Sequence, residues 1–313
     1  MHKYLFIILS FFFLPEASAQ KIEKVFLNKS DTTRNCYTII YPVSYPGNGY
    51  LFLVPGFGET AEEVLRQTNL PIETAKKGIL TIIPTFQEGV SSFGFDSLSQ
   101  QSFRKIVDHV TNNHKLQDQE YYLGGFSMGG STVLKFAETV DEKPKAIFAI
   151  DSPLDFERFY HSTKRDMRLF EKSNPDEENI YRYLASRIEQ IMGGTPQTAL
   201  ENYHKTSPYS FSDTTQTAIK GLLNIPIRIY IEPDIQWWLR ERKTDASGLN
   251  IQDCSAMINE LNRLGNNKAV LITTQNKGFR QPGNKRHPHS WSIVDNNELI
   301  EWLLHPQKKV NKK

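Results

Sequence analysis

The chain has 313 residues and a formal net charge of +2, with 37 basic and 35 acidic side chains almost in balance. This balance argues against a nucleic-acid partner or a strongly acidic partner. The two cysteines, Cys36 and Cys254, allow either one disulfide in an oxidising compartment or two separate buried thiols, and the sequence leaves both open.

The first 19 residues have the pattern of a secretory signal peptide. Lys3 precedes an apolar run from Tyr4 to Leu14, and small residues end the segment at Ala19. The run is shorter than the ~20 residues that a membrane span needs. The sequence therefore predicts a leader at 1–19 that is cleaved near Ala19, a secreted or periplasmic mature chain, and no stable membrane insertion.

Apolar runs of strand length alternate with helical patterns through 20–313. The runs predict strands at 24–27, 36–41, 50–55, 79–84, 120–125, 146–151, 225–231 and 268–274. Helical spacing of apolar residues follows Asp96 and Asp253, and a further helix is predicted from Ser292. The alternation predicts a single α/β domain with a mostly parallel central sheet flanked by helices. In such sheets, functional sites lie at the carboxyl ends of the strands.

One long interval, about 152–224, interrupts the alternation. It is mostly polar with helical spacing, and it is too long for a plain loop. We expect it to form a helical cap inserted after the sixth strand.

Residues 125–129 read Gly-Phe-Ser-Met-Gly, directly after an apolar run and before a helical pattern. This is a nucleophile elbow pattern, in which Ser127 occupies a strained turn. Side chains two residues before or after the serine would collide with neighbouring backbone, and Gly125 and Gly129 remove those collisions. Because a serine between two glycines also occurs in ordinary turns, the rest of the chain must decide.

A serine nucleophile needs a histidine base, and usually a carboxylate that orients the histidine. His287 and His289 lie in a polar loop after the last predicted strand. We favour His289, because it adjoins the predicted helix start, where Ser290 can cap the helix. No second pair of ligand residues accompanies the two histidines in sequence, so no metal site is predicted.

Three acids are candidates for the orienting carboxylate. Asp234 and Glu232 follow the strand 225–231, and Asp151 ends the strand 146–151. We favour Asp234 and keep Glu232 and Asp151 as alternatives. An acid too close to the strand would point into the sheet, and Asp151 precedes Ser152 and Pro153 in a sequence that also suits a turn.

Four segments of this chain resemble those of the α/β-hydrolase superfamily. They are Pro-Gly-Phe-Gly at 55–58, Gly-Phe-Ser-Met-Gly at 125–129, Glu-Pro-Asp at 232–234 and His-Ser-Trp at 289–291. The resemblance covers nearly all of 20–313. It implies a catalytic triad of Ser127, Asp234 and His289, with an oxyanion hole formed by the backbone N–H groups of Phe57 and Met128.

The resemblance also implies a serine hydrolase that cleaves carboxylic esters through an acyl-enzyme on Ser127, with His289 as general base and no cofactor. By analogy, the substrate is a small-molecule ester or an acylated carbohydrate. Aromatic segments at 156–160, 203–209 and 237–238 form either a pocket wall or core packing. Two alternatives stay open: a secreted serine peptidase on the same fold, and a non-catalytic binding protein. The oligomeric state does not follow from the sequence.

Overall fold

The computed structural model describes residues 20–43, 47–171 and 174–307. The predicted leader therefore lies outside the described residues, and its prediction stays open. Within the described part of the chain, no helix is both long enough and apolar enough to cross a membrane.

The centre of the molecule is an eight-stranded sheet in the order β1-β2-β4-β3-β5-β6-β7-β8. Strands β3 to β8 run parallel, whereas β2 pairs antiparallel with both β1 and β4. The bounds are β1 (Ile22–Phe26), β2 (Cys36–Ile40), β3 (Tyr50–Val54), β4 (Leu80–Thr85), β5 (Tyr121–Phe126), β6 (Ala146–Ile150), β7 (Ile227–Ile231) and β8 (Ala269–Thr273). All eight predicted strands and the mostly parallel sheet are confirmed.

Short apolar runs become strands here because both faces of the sheet are covered. Strands β3, β5, β6 and β7 are buried at every position, as expected for parallel strands between two layers of helices. At one edge, β1 is largely exposed.

Ten α-helices occur in the described part of the chain. They are α1 (Ala61–Gln67), α2 (Leu70–Lys76), α3 (Ser97–His114), α4 (Met128–Thr139), α5 (Phe156–Phe170), α6 (Pro175–Met192), α7 (Pro196–Thr206), α8 (Ile235–Trp237), α9 (Ile251–Arg263) and α10 (Asn296–Leu304). Buried residues of α3, α4 and α9 pack on one face of the sheet, and those of α1, α2 and α10 on the other. Both helices predicted after aspartates are present. Asp96 caps the first by accepting from Ser99 N, whereas the second begins at Ile251 and contains Asp253.

The interval between β6 and β7 contains α5, α6 and α7. Their apolar faces form a third cluster with Met128, Phe93 and Phe95, beside the elbow that follows β5. Asp253 of α9 fastens the start of α5, because its carboxylate accepts from Leu154 N and Asp155 N and pairs with Arg158. That this segment acts as a cap stays a prediction.

Three local features differ from the sequence-based expectations or settle an open one. The helix predicted from Ser292 begins at Asn296 instead, because Asp295 accepts from Asn297 N and Glu298 N, whereas the Ser290 side chain makes no cap hydrogen bond. The polar loop before it contains a short hairpin of β9 (Phe279–Arg280) and β10 (Lys285–Arg286), which the sequence analysis missed. Both cysteines are buried free thiols, and burial raises the pKa of each.

Candidate active site

Ser127 lies between β5 and α4 with φ 53° and ψ −124°, a positive-φ conformation outside the left-handed helical region that is strained for a residue with a side chain. The flanking glycines are required there. A Cβ at Gly125 would lie 2.2 Å from the carbonyl carbon of Gly129, and a Cβ at Gly129 would lie 2.2 Å from the carbonyl oxygen of Val54. The turn therefore has the strained geometry that the elbow pattern predicts, at the carboxyl end of a central strand.

His289 is held against Asp151. His289 Nδ1 lies 3.0 Å from Asp151 Oδ2, and Asp151 is 5% exposed. Because a carboxylate only accepts hydrogen bonds, Nδ1 carries the proton in this pair and Nε2 is the basic nitrogen. In the described part of the chain, neither His289 Nε2 nor Ser127 Oγ has a hydrogen-bond partner, and both residues line the same two cavities.

Asp151 reaches the histidine because of its own backbone. It follows β6 directly, with φ 46°, where its N–H donates to the carbonyl oxygen of Tyr230. Asn250 Nδ2 donates to both the carbonyl oxygen and Oδ1 of Asp151, at 3.0 Å each. The second carboxylate oxygen is thereby left for His289. β6 is the neighbour of β5 in the sheet, so that Asp151 lies beside the serine turn.

The two acids after β7 have other partners. Asp234 caps α8 by accepting from Trp237 N at 3.1 Å, and it pairs with Arg286 at 2.7 Å. Glu232 is buried, pairs with the same arginine, and accepts from Lys277 N at 2.9 Å. These carboxylates anchor the loop that carries His289 and do not contact its ring. The structure therefore places Asp151, which the sequence analysis had kept as an alternative, and not the favoured Asp234, beside the His289 ring.

Phe57 and Met128, the residues of the oxyanion hypothesis, line the larger cavity together with Ser127. Among the described residues, neither backbone N–H has an acceptor. Glu59 shapes the turn before Phe57, because its Oε2 accepts from Gly56 N at 2.9 Å and from Trp291 Nε1 at 3.1 Å. Burial raises the pKa of Glu59. The oxyanion role itself stays a prediction.

The loop around His289 is packed and hydrogen-bonded. The imidazole ring lies 4.5 Å from the Phe126 ring, and Phe126 in turn contacts Trp291. Arg280 Nε and Nη2 donate to the carbonyl oxygen of His289 at 3.0 and 2.8 Å. The backbone of the histidine is thus fixed from the β9 hairpin, whereas its ring is fixed by Asp151.

The larger cavity has a volume of about 320 Å³, and the smaller one about 180 Å³. Ser127, His289, Phe57 and Arg280 line both. The larger is also walled by residues of α5, α6 and the segment after α8, which include Phe159, Asp166, Glu177, Tyr181, Trp238 and Arg242. Of the predicted aromatic segments, Phe159 and Trp238 line this cavity, whereas Phe156, Tyr160 and Tyr203 are buried in the third cluster.

His287 is the second histidine of the loop. Its ring packs against Trp237 and Trp238, and its Nε2 lies 3.4 Å from Arg242 Nη2. Burial, followed by the charge of Arg280, lowers the pKa of His287 to about 2. His287 is therefore neutral, and it does not contact Asp151. Among the described residues, no cluster of His, Cys, Asp and Glu is arranged to hold a metal ion.

Sequence reasoning missed three residues of this site: Glu59, Asn250 and Arg280. Each acts through a contact with a segment far away in sequence, such as Asn250 with Asp151 or Glu59 with Trp291. The one available signal was the position of Glu59 directly after the Pro-Gly-Phe-Gly turn.

Solved structures with this architecture include several hydrolases. Fluorophosphonate-binding serine hydrolase F of Staphylococcus aureus matches with a TM-score of 0.56 at 14% identity, over 91% of this chain and 99% of that one. The acylaminoacyl peptidase of Pyrococcus horikoshii gives 0.55 at 11% identity, over 89% of this chain and 40% of that one. S-formylglutathione hydrolase of S. aureus gives 0.52 at 14% identity, over 91% and 100%. No family model and no curated protein matches the sequence. At these identities, what the chain shares with these structures is the fold.

Proposed function

We propose that this chain, which has the α/β-hydrolase fold, is a serine hydrolase that cleaves carboxylic esters through an acyl-enzyme on Ser127. His289 is the general base, and Asp151 orients it. The observation that carries the proposal is the bond from His289 Nδ1 to the buried Asp151 carboxylate, beside a cavity that Ser127 also lines.

In the first step, Ser127 Oγ attacks the ester carbonyl and His289 Nε2 takes the hydroxyl proton. The imidazolium that forms is stabilised by the Asp151 carboxylate. The N–H groups of Phe57 and Met128 donate to the tetrahedral oxyanion, and they are available because no described residue accepts from them. His289 then protonates the leaving alcohol.

In the second step, water attacks the acyl-enzyme. His289 Nε2 takes a proton from that water, and collapse of the second tetrahedral intermediate releases the acid and restores the Ser127 hydroxyl. The cycle consumes one water and leaves the protein unchanged. It uses only side chains and backbone donors of this chain.

A fluorophosphonate probe combined with ester kinetics tests the proposal. We expect the probe to label wild type and to fail on Ser127→Ala and His289→Ala. With p-nitrophenyl acetate and butyrate, each variant should lose roughly 10³-fold or more of the wild-type kcat. A folded wild type that is neither labelled nor active would leave the binding-protein alternative, whereas amidase turnover without esterase turnover would favour the peptidase.

We also propose that the mature protein begins near residue 20 and is secreted or periplasmic, because residues 1–19 have the pattern of a cleaved signal peptide. N-terminal sequencing of protein recovered outside the cytoplasm of an expressing bacterium tests this. A retained Met1 in that fraction would contradict it.

A further inference from the structure

We propose that Arg280 binds a carboxylate of the substrate, so that the preferred substrates of Ser127 are esters that carry a carboxylate near the scissile bond. This inference rests on the proposed function, because it concerns the selectivity of the same site. It goes beyond the reaction type, which requires no charge on the substrate.

Arg280 lies close enough to the Ser127 and His289 cavities to contact a charged group of a bound substrate. It belongs to the hairpin strand β9 and is joined to His289 by two hydrogen bonds to the histidine carbonyl oxygen. It lines both cavities that Ser127 and His289 line. A ligand bound for attack by Ser127 therefore occupies space that the Arg280 side chain borders.

The guanidinium of Arg280 has hydrogen-bond donors that the described residues leave without an acceptor. An arginine has five N–H donors, and in Arg280 only Nε and Nη2 donate, both to one carbonyl oxygen. Within the ranges that the structure describes, no carboxylate lies within ion-pair distance of it. Arg242, which lines the same cavity, differs because it pairs with Glu177 at 2.9 Å. Arg286, in the partner strand of the hairpin, pairs with Glu232 and Asp234.

The nearby acids do not neutralise Arg280 by direct contact. Glu59 and Asp151 are the carboxylates whose charges favour its protonated form, but each is engaged elsewhere. Glu59 accepts from Gly56 N and Trp291, and Asp151 binds Asn250 and His289. Burial and the charge of Arg242 lower the pKa of Arg280, although an arginine still remains charged in any working buffer.

Most of the acids that line the larger cavity are bound elsewhere. Glu177 pairs with Arg242, Glu232 with Arg286, and Asp151 binds His289, while burial raises the pKa of the remaining acid, Asp166, to about 6. Of the two arginines that line this cavity, Arg280 is thus the one without a carboxylate partner among the described residues, and the neutral His287 beside it has a buried Nδ1 without a hydrogen-bond partner there. A substrate carboxylate would give a partly desolvated cation the counter-charge that the chain does not supply. The planar fork of a guanidinium suits two parallel bonds to a carboxylate, which makes this anion a better fit than a neutral carbonyl.

Two pairs of esters that differ only in charge test this. The first pair is 4-acetoxybenzoate and 4-acetoxybenzamide, which place the carboxylate or a neutral amide on the leaving group. The second is the p-nitrophenyl half-ester of adipic acid and its methyl ester, which place it on the acyl group. The variants are Arg280→Met and Arg280→Lys, with Arg242→Met as the control that removes a paired cavity arginine and Arg263→Met as a surface control.

We expect wild type to prefer the anionic member of at least one pair, by roughly 10- to 100-fold in kcat/KM, as for a charge-assisted hydrogen bond. Arg280→Met should bring that ratio to about one, and Arg280→Lys should keep part of it. Arg242→Met should change it less than Arg280→Met, and Arg263→Met should not change it. The ratio is the readout because Arg280 also holds the His289 backbone, so that its loss lowers turnover of both esters.

Equal loss on charged and neutral esters would overturn the proposal and leave Arg280 as a positioning residue. A wild-type ratio near one in both pairs would overturn it as well. Binding to Ser127→Ala, measured by calorimetry with benzoate and benzamide, separates this failure from that of the proposed function. Absence of probe labelling at Ser127 refutes the hydrolase, whereas equal binding of the two ligands refutes the anion site.

Discussion

Replacing Asp151 by Asn should disable His289 without disturbing the fold. Asparagine tolerates the positive φ of this position as well as aspartate does. Asn250 Nδ2 donates to Oδ1 of Asp151, so the new amide oxygen will take that place. The amide NH₂ then faces His289 Nδ1, which must accept from it, and the proton of the imidazole moves to Nε2. A histidine protonated at Nε2 cannot take the proton of Ser127.

The size of the loss follows from this change of tautomer. A triad whose histidine is held in the wrong tautomer loses roughly 10³- to 10⁴-fold in kcat, with little change in stability. Asp234→Asn makes the matched control, because Asp234 is partly exposed and shares Arg286 with Glu232. We expect that control to keep activity within about threefold and to cost no more than about 1 kcal/mol of stability.

The assay is initial-rate hydrolysis of p-nitrophenyl acetate by wild type, Asp151→Asn and Asp234→Asn, with Ser127→Ala as the background rate. The thermal midpoint of each variant shows that it is folded. The rate of fluorophosphonate labelling gives a second measure of serine reactivity. If Asp234→Asn lost about 10³-fold while Asp151→Asn stayed near wild type, the assignment of Asp151 would be refuted.

Three further outcomes are expected. Glu59→Gln keeps one acceptor for Gly56 N but loosens the turn before Phe57. We expect kcat to fall about tenfold at constant KM, which is less than the loss caused by removing a whole oxyanion donor. A change confined to KM would contradict this. Burial raises the pKa of Asp166 to about 6, and each pKa unit corresponds to about 1.4 kcal/mol. Asp166→Asn should therefore raise the free energy of unfolding by about 3 kcal/mol at pH 8 and by little at pH 3.5, where the carboxyl is mostly protonated in both states. A gain in urea denaturation that does not depend on pH would contradict this. Gly129→Ala should prevent folding or lower the thermal midpoint far more than Gly265→Ala. A Cβ at Gly129 would overlap backbone atoms, whereas at Gly265 it meets no atom and only the φ of +106° is strained. Equal midpoints would contradict this.

The strands of the sheet could be predicted from the sequence because they are short apolar runs bounded by polar, glycine or proline residues. The central runs, those of β3, β5 and β6, are buried at every position, so that burial and strand propensity favour the same assignment. The elbow was predictable for a similar reason, because the steric demand that fixes Gly125 and Gly129 is local. The start of α10 was not, because Ser292 and Asp295 are both good N-cap residues. Ser292 instead uses its hydroxyl on Phe279, across the histidine loop.

The orienting acid could be narrowed but not chosen from the sequence. Three acids follow parallel strands that end at one edge of the sheet. They differ in whether they pair with a cation, and that cation comes from none of those strands. Arg286 comes from the histidine loop and takes both Glu232 and Asp234. An arginine more than 50 residues further along the chain thus pairs with the two acids after β7, and Asp151 is the one of the three that contacts His289.

This division of roles gives the acids after β7 a function of their own. Glu232 also accepts from Thr274 Oγ1 and Lys277 N, so it holds the first residues of the loop after β8 while Arg286 holds the last. With both ends of the loop held, the carbonyl oxygen of His289 is positioned to accept from Arg280. Orienting the His289 ring then requires one carboxylate within hydrogen-bond distance of Nδ1. Asp151 meets that need from the neighbouring strand, because the geometry of a triad constrains where its groups lie and not where they occur in the chain.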